Sequence, residues 1–205
     1  MIDHLAIVCS RLESSRLPGK AFKRIAGRPA IEHIVKRLQA AGIKTVIAVP
    51  PNDLIEYQTR LAHTGVDIVS GNAASPLHRM RDVAMQYGNP KWVIRVTHDD
   101  IIIDGKTALD VLKHCEAFNS GYGYSPGIVE GAGVEVIAFD NLCHAANNRQ
   151  EPTEFVSYFV KGEGLPLPNI SIVFPRPDIK RDYRLTMAYP QDAQALEVVM
   201  RATGP

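Results

Sequence analysis

Leu5-Ala-Ile-Val-Cys-Ser-Arg-Leu-Glu-Ser-Ser-Arg-Leu-Pro-Gly-Lys20 is the stretch on which the architecture turns. The apolar run Leu5–Cys9 stops abruptly at Ser10, which reads as a buried first strand. Residues 10–20 are polar, basic and punctuated by Pro18-Gly19, so they form a loop. Ala30–Ala41 then carries Ile31, Ile34, Val35 and Leu38 at helical spacing, opened by Pro29 and closed by Gly42. Strand, loop and helix in that order begin a βα unit.

The alternation recurs three times. Strand Thr45–Val49 precedes helix Asp53–His63. Strand Val66–Val69 and the loop 70–76 precede helix Leu77–Gln86. Strand Trp92–Val96 and Thr97-His-Asp-Asp100 precede helix Thr107–Phe118. Short strands alternating with helices of this length predict right-handed crossovers and an α/β fold, a Rossmann-like doubly wound, mostly parallel sheet. Ligands of such sheets bind at the carboxyl ends of the strands, where the strand order reverses. The loops 10–20, 70–76 and 97–104 leave those ends. Beyond residue 118 the texture changes to closely spaced glycines. A strand is expected at Val134–Phe139, a short helix at Phe155–Val160 and a strand at Ile170–Phe174. Residues 120–180 read as a partly extended insertion within one domain spanning 1–205. A short strand Leu185–Met187 and a helix Ala193–Ala202 close the chain.

Composition narrows the function. The 205 residues are 45% hydrophobic with 7% aromatics, which favours a buried sheet covered by helices. A formal net charge of +1 gives no reason to expect a nucleic acid as partner. The basic residues are concentrated near the N-terminus, a pattern that suits a small anion. Cys9, Cys115 and Cys143 are widely spaced and form no Cys-x-x-Cys pair, as in a cytoplasmic protein with reduced thiols. No run approaches the ~18–20 apolar residues of a membrane span, so no membrane is expected.

Triphosphate binding needs backbone N–H groups, fixed positive charge and small residues that permit close approach. Residues 10–20 supply all three: Arg11, Arg16 and Lys20 carry charge, Ser10, Ser14 and Ser15 add hydroxyls, and Gly19 allows a turn. A guanidinium fork suits phosphate oxygens in a bidentate way, whereas Lys acts as a mobile point charge. The loop lacks the spacing of a Walker A motif and of a dinucleotide fingerprint. At the end of the fourth strand, Asp99 and Asp100 are suited to bridging a hard cation such as Mg²⁺ and phosphate oxygens. Successive strand residues face opposite ways, so the two chelate together only if the backbone turns between them. His98, beside them, is placed to contact substrate.

The string Arg11-x-x-Ser14-x-Arg16-Leu-Pro-Gly-Lys20, followed by Gly27-Arg-Pro29 and a helix, resembles the opening of the bacterial cytidylyltransferases. These are the spore-coat polysaccharide, Kdo and acylneuraminate types. Val69-Ser-Gly71 through Leu77-His-Arg79, Arg95-Val-Thr-His-Asp99, Gly133-Val-Glu-Val-Ile137, Glu154-Phe-Val-Ser-Tyr158 and Tyr183–Asp192 extend the resemblance along most of the chain. It implies the nucleotide-diphospho-sugar transferase type of fold. It implies CMP transfer from CTP to a sugar acid or related acceptor, with release of pyrophosphate. It implies a triphosphate held by Arg11, Arg16 and Lys20, with Arg16 and Lys20 catalytic. Gly71, Asn72 and Arg79 would lie near ribose and base, Glu135 near the sugar, and Asp99 at Mg²⁺. A homodimer through residues 120–180 is a further implication.

The sequence departs from the family at three places. Ala188 stands where a second metal-binding aspartate is usual, Glu13 lies inside the phosphate loop, and Gly133 replaces a frequent Asp. The alternative reading is therefore a degenerate relative that binds a nucleotide or CMP-sugar without transferring it.

Overall fold

The structure, a computed structural model, describes residues 2–175 and 183–204. The end of the expected 120–180 insertion, residues 176–180, lies outside them. The strands are β1 (His4–Cys9), β2 (Arg24–Ile25), β3 (Arg28–Pro29), β4 (Thr45–Val49), β5 (Asp67–Ser70), β6 (Trp92–Thr97), β7 (Tyr122–Tyr124), β8 (Glu135–Ala138) and β9 (Ile170–Ile172). The helices are α1 (Ala30–Ala40), α2 (Leu54–Leu61), α3 (Pro76–Gln86), α4 (Gly105–Phe118), α5 (Phe139–Asn147), α6 (Val156–Phe159) and α7 (Pro190–Thr203).

One seven-stranded sheet runs β5-β4-β1-β6-β8-β7-β9. The strands β5, β4, β1 and β6 are parallel neighbours, β8 runs antiparallel to both β6 and β7, and β9 lies parallel to β7. The doubly wound, mostly parallel α/β sheet is thus present. Its alternation of buried side chains feeds two cores. Ala6 and Val8 of β1 pack with α1, α2, α4 and α7 on one face, while Leu5 and Ile7 pack with α3, α5 and α6 on the other. Burial on both faces explains why these strands read as continuous apolar runs.

The first four units match the sequence reading to within a few residues. Most of the differences lie later. Phe139 does not extend β8 but opens α5, which was not expected; Leu142, Ala145 and Ala146 give that helix its buried stripe. Strand β7 and the short β2–β3 hairpin were also not foreseen, being only three and two residues long. Leu185–Met187 is not a strand. Its backbone N–H groups are taken by two separate loops, Leu185 bonding the Glu130 carbonyl at 2.8 Å and Met187 the Asp99 carbonyl at 2.9 Å, so no ladder forms. That arrangement draws the segment before α7 against the end of β6.

Candidate functional site

The strand order reverses between β1 and β6, and the loops that leave both strands face each other across that point. A buried chain of hydrogen bonds ties them together. Ser10 Oγ lies 2.6 Å from the Tyr57 hydroxyl and 2.8 Å from His98 Nδ1. The Arg11 backbone N–H donates to the same Nδ1 at 3.4 Å. A nitrogen that accepts an N–H carries no proton, so in neutral His98 the proton resides on Nε2. Burial first, then the neighbouring Lys20 charge, lowers the His98 pKa to about 4. His98 is therefore neutral at pH 7, with a ring that lines the cavity described next.

The loop 10–20 is anchored from within. Leu17 is buried in the core, Leu12 packs against it, the Leu12 N–H donates to Asp53 Oδ2 at 2.8 Å, and Gly19 takes φ +63° at the turn into Lys20. The polar side chains that remain face a cavity of about 250 Å³. Arg11, Glu13, Ser14, Ser15, Arg16 and Lys20 line it from the loop, and Ser10, Arg79, Arg95, His98 and Asp99 line it from the sheet and α3. All three of the loop's cations already have partners. Arg11 pairs with Glu154 at 2.9 Å, and the Arg16 guanidinium sits 5.3 Å from the Tyr189 ring centroid.

Lys20 is buried and donates to Asp99 Oδ2 at 2.8 Å. Burial pushes the Asp99 carboxyl up, but His98, which is protonated in the acidic range where this group titrates, and the Lys20 charge more than offset it and hold the group below the usual carboxylate range. Asp99 is thus an ionised carboxylate at the edge of a cation-lined cavity. Asp100 follows a tight turn closed by its N–H on the Thr97 carbonyl at 3.1 Å. Its carboxylate accepts from Thr97 Oγ1 at 2.6 Å and Thr186 Oγ1 at 3.3 Å. Burial raises its pKa to about 6. The two aspartates face different cavities. Asp100 lines a second one of about 360 Å³, together with Glu135. Among the described residues, no three His, Cys, Asp or Glu side chains gather as a ready metal cage. One carboxylate plus phosphate oxygens is nevertheless a common Mg²⁺ environment, and Asp99 fits it.

Loop 70–76 is arranged differently from loop 10–20. Asn72 Oδ1 accepts from the Ala74 and Ser75 N–H groups at 3.0 and 2.9 Å, and Arg79 donates to the Asn72 and Ala73 carbonyls at 2.9 and 2.8 Å. A Cβ on Gly71 would lie 3.0 Å from the Arg79 backbone oxygen, which is why a glycine is needed there. Gly19, Gly71 and Asn72 do not line the cavity themselves. Arg79 lines it while its guanidinium braces the loop. Ala188, the position of the usual second aspartate, is buried directly after Met187, whose N–H bonds the Asp99 carbonyl, and its own N–H bonds Asp192 Oδ2 at 2.8 Å. Asp192 also accepts the Tyr189 N–H and so caps α7.

Sequence reasoning missed several participants. Arg95 lines both cavities and is ion-paired to Glu135, which also accepts from the Tyr122 hydroxyl. Its signal was legible: one charge inside the apolar run Trp92–Val96. Glu154 and Asp53 carried no such signal. Tyr57 reads as an ordinary core residue of α2, and only the fold reveals its bond to Ser10.

The fold and this cavity define a class: a doubly wound α/β protein with a cation-lined site at the point where its sheet reverses. Residues 5–161 match the cytidylyltransferase family model, and the chain belongs to that family. It is 32% identical over 117 residues to a 3-deoxy-manno-octulosonate cytidylyltransferase of Anaeromyxobacter dehalogenans, covering 56% of this chain and 48% of that protein. A Yersinia enterocolitica protein of the same name is 25% identical over 122 residues, 58% of this chain and 49% of the relative. The chain thus spans about half the length of the curated relatives it matches. Among solved structures, a cytidylyltransferase from Leptospira borgpetersenii superposes with a TM-score of 0.83 at 20% identity, over 98% of this chain and 88% of that one. A CMP:2-keto-3-deoxy-manno-octonic acid synthetase complexed with CTP gives 0.73 at 13% identity, over 98% and 99%. Likeness at such identities establishes the fold.

Proposed function

We propose that this chain transfers CMP from CTP to a sugar acceptor and releases pyrophosphate. The observation that carries the reading is the convergence of Arg11, Arg16 and Lys20 on one cavity that Asp99 also faces. In the reaction an acceptor hydroxyl oxygen attacks the α-phosphorus. The new P–O bond forms as the bond between the α- and β-phosphates breaks, the electron pair leaves with pyrophosphate, and the hydroxyl proton passes to solvent. Arg11 and Arg16 hold the triphosphate, and Lys20 meets the charge that grows on the leaving group. His98, neutral with its proton on Nε2, donates to the bound nucleotide. Catalysis of this kind consists of positioning and charge stabilisation by preorganised groups. Mg²⁺, when bound, supplies further neutralisation of the phosphates, with Asp99 as its carboxylate ligand and Asp100 placed to act from the neighbouring cavity.

The acceptor side belongs to the 120–180 segment, which contributes β7, β8 and β9. Ile170 and Ile172 are exposed on β9 and Phe174 just beyond it, and β9 is the last strand of the sheet among the described residues. An open edge of this kind favours pairing with a second chain, and we include a homodimer in the proposal, to be checked by light scattering. No described helix is long and apolar enough to cross a membrane. Pyrophosphate release with CTP, Mg²⁺ and a panel of sugars tests the reaction. CTP binding without turnover on any acceptor would defeat it.

Ala188 supports a second reading, a nucleotide-binding relative that does not catalyse transfer. It stands in the sequence where the family's second aspartate is usual, and alanine cannot ligate a metal. Ala188→Asp separates the two. A large gain in turnover favours degeneration, whereas an unaltered chain that already turns over removes the second reading.

A further inference from the structure

We propose that a third cavity, reached from the other end of the turn that carries Lys20, binds a phosphate group, free or as a monoester, and is coupled to the triphosphate cavity. The short turn Lys20–Phe22 contributes to both. Lys20 lines the triphosphate cavity, and Phe22 lines the other, which holds about 470 Å³. Arg24 and Arg28 of the β2–β3 hairpin, Arg60 of α2 and His63 just after it line the same space. The anion site stands on these residues alone. Only its coupling rests on the reading of the first cavity as a CTP site.

The cations here are held in place, and their charge is only partly met. The Arg60 guanidinium lies 3.9 Å from the Phe22 ring centroid and pairs with Glu56 at 2.9 Å. Arg24 donates to the Gly27 carbonyl, and the Ala26 N–H donates to Glu197 of α7, which fixes the hairpin. Neither Arg24 nor Arg28 makes an ion pair among the described residues. Glu32, the carboxylate that lines the cavity, is buried and already bonds His63 Nε2 at 2.9 Å. Three guanidiniums thus face one engaged carboxylate. Planar N–H forks of this kind match phosphate oxygens in charge and geometry, whereas a neutral ligand would leave the arginines' charge unmet. The coupling follows from the contacts behind Phe22. Its ring centroid lies 4.7 Å from that of Tyr57, whose hydroxyl bonds Ser10, which in turn bonds His98. An anion that draws Arg60 away from Phe22 loosens this stack and the bonds beyond it. Occupancy therefore weakens CTP binding, and linkage makes the effect reciprocal.

Arginine Nε–Hε NMR of the full chain, titrated with inorganic phosphate, glucose 6-phosphate and glucose, tests the site. We expect both phosphates to shift the Arg24, Arg28 and Arg60 signals saturably and glucose to leave them in place. The tighter of the two phosphates tells a free anion from a monoester. The double variant Arg24→Gln with Arg28→Gln, both on a surface hairpin, should lose the Arg60 shift and keep CTP affinity within about twofold when no phosphate is present. Calorimetry of CTP with and without phosphate tests the coupling. Phosphate should weaken CTP binding about fivefold more in the parent than in the double variant, where only competition at loop 10–20 remains. No saturable shift at the three arginines, an equal shift with glucose, or an Arg60 shift unchanged in the double variant would overturn the site. Equal weakening of CTP in the two proteins would overturn the coupling. If CTP does not bind at all, the transfer reading falls, while phosphate shifts at these arginines would still establish the site.

Discussion

The two cavities at the end of β6 share Arg95 yet are opposite in character. On one side Arg11, Arg16, Lys20, Arg79 and Arg95 outnumber the carboxylates Glu13, Asp99 and Glu154. On the other, Asp100, Glu130 and Glu135 face a single Arg95. The difference lies in what supplies the charge. The cationic cavity is built by one continuous loop, residues 10–20, whose basic side chains stand close in sequence. The acidic cavity gathers groups from β6, β8 and the 128–131 turn, far apart in the chain. A single tight turn at Asp99-Asp100 sends one carboxylate to each. Charge of one sign beside charge of the other is what a two-substrate site needs when one substrate is a polyanion.

Removing a charge from each side breaks the comparison most sharply. Lys20→Ala should have the largest effect. It deletes a donor aimed at the leaving group and leaves Asp99 half-buried without its partner. Loss of one such preorganised charge typically costs about 10²–10³ in kcat, and pyrophosphate-release kinetics would show it. A fall of less than threefold would mean that the loop does not act on the triphosphate.

Arg95→Ala attacks the shared wall. It strands Glu135, whose carboxyl burial would otherwise raise and the arginine holds low. Removing one partner of a buried pair costs about 3 kcal/mol, and urea denaturation should report it. The double variant Arg95→Met with Glu135→Gln should recover most of that loss.

Asp100→Asn separates the two aspartates in a metal-free buffer. The folded-state pKa of Asp100 is raised from 3.8 to about 6 by burial. A raised folded value means that the folded state binds the proton more tightly than the unfolded one. Stability is therefore highest below the unfolded value, falls between about pH 4 and 6, and stays low above. Asn carries no charge to lose, so the variant should be more stable at pH 8 by about 3 kcal/mol and indistinguishable near pH 3.5. Thermal unfolding at the two pH values would decide it.

Tyr57→Phe is the mildest test. It removes the 2.6 Å bond to Ser10 and leaves the ring in place. One lost hydrogen bond of this kind costs about 1 kcal/mol, so KM for CTP should rise up to about fivefold with kcat little changed. Nitrogen NMR of the parent protein should show His98 protonated at Nε2 alone at pH 7. A proton on Nδ1 would sink the account of that ring.

The chain's own pattern determined a good deal. Apolar runs broken at Ser10, Pro50, Ser70 and Thr97, each followed by a helical period, are local signals, and they yielded the parallel half of the sheet. Residues 10–20 were legible as an anion loop because their charges are sequence neighbours. Asp99 and Asp100 were visible as an unusual ending to an apolar strand. Tertiary structure decided what depends on contact between distant segments. Only the fold joins Tyr57, Ser10 and His98 into one chain of bonds, commits Arg95 to Glu135 and turns Asp99 and Asp100 to different cavities. The same holds for Leu185–Met187, whose alternation suited a strand, although its N–H groups found loop carbonyls instead of a ladder. The physical reason is common to all of these. Periodicity and loop composition act over a few residues, whereas the partner of a polar group is whichever atom the packed chain brings within about 3 Å.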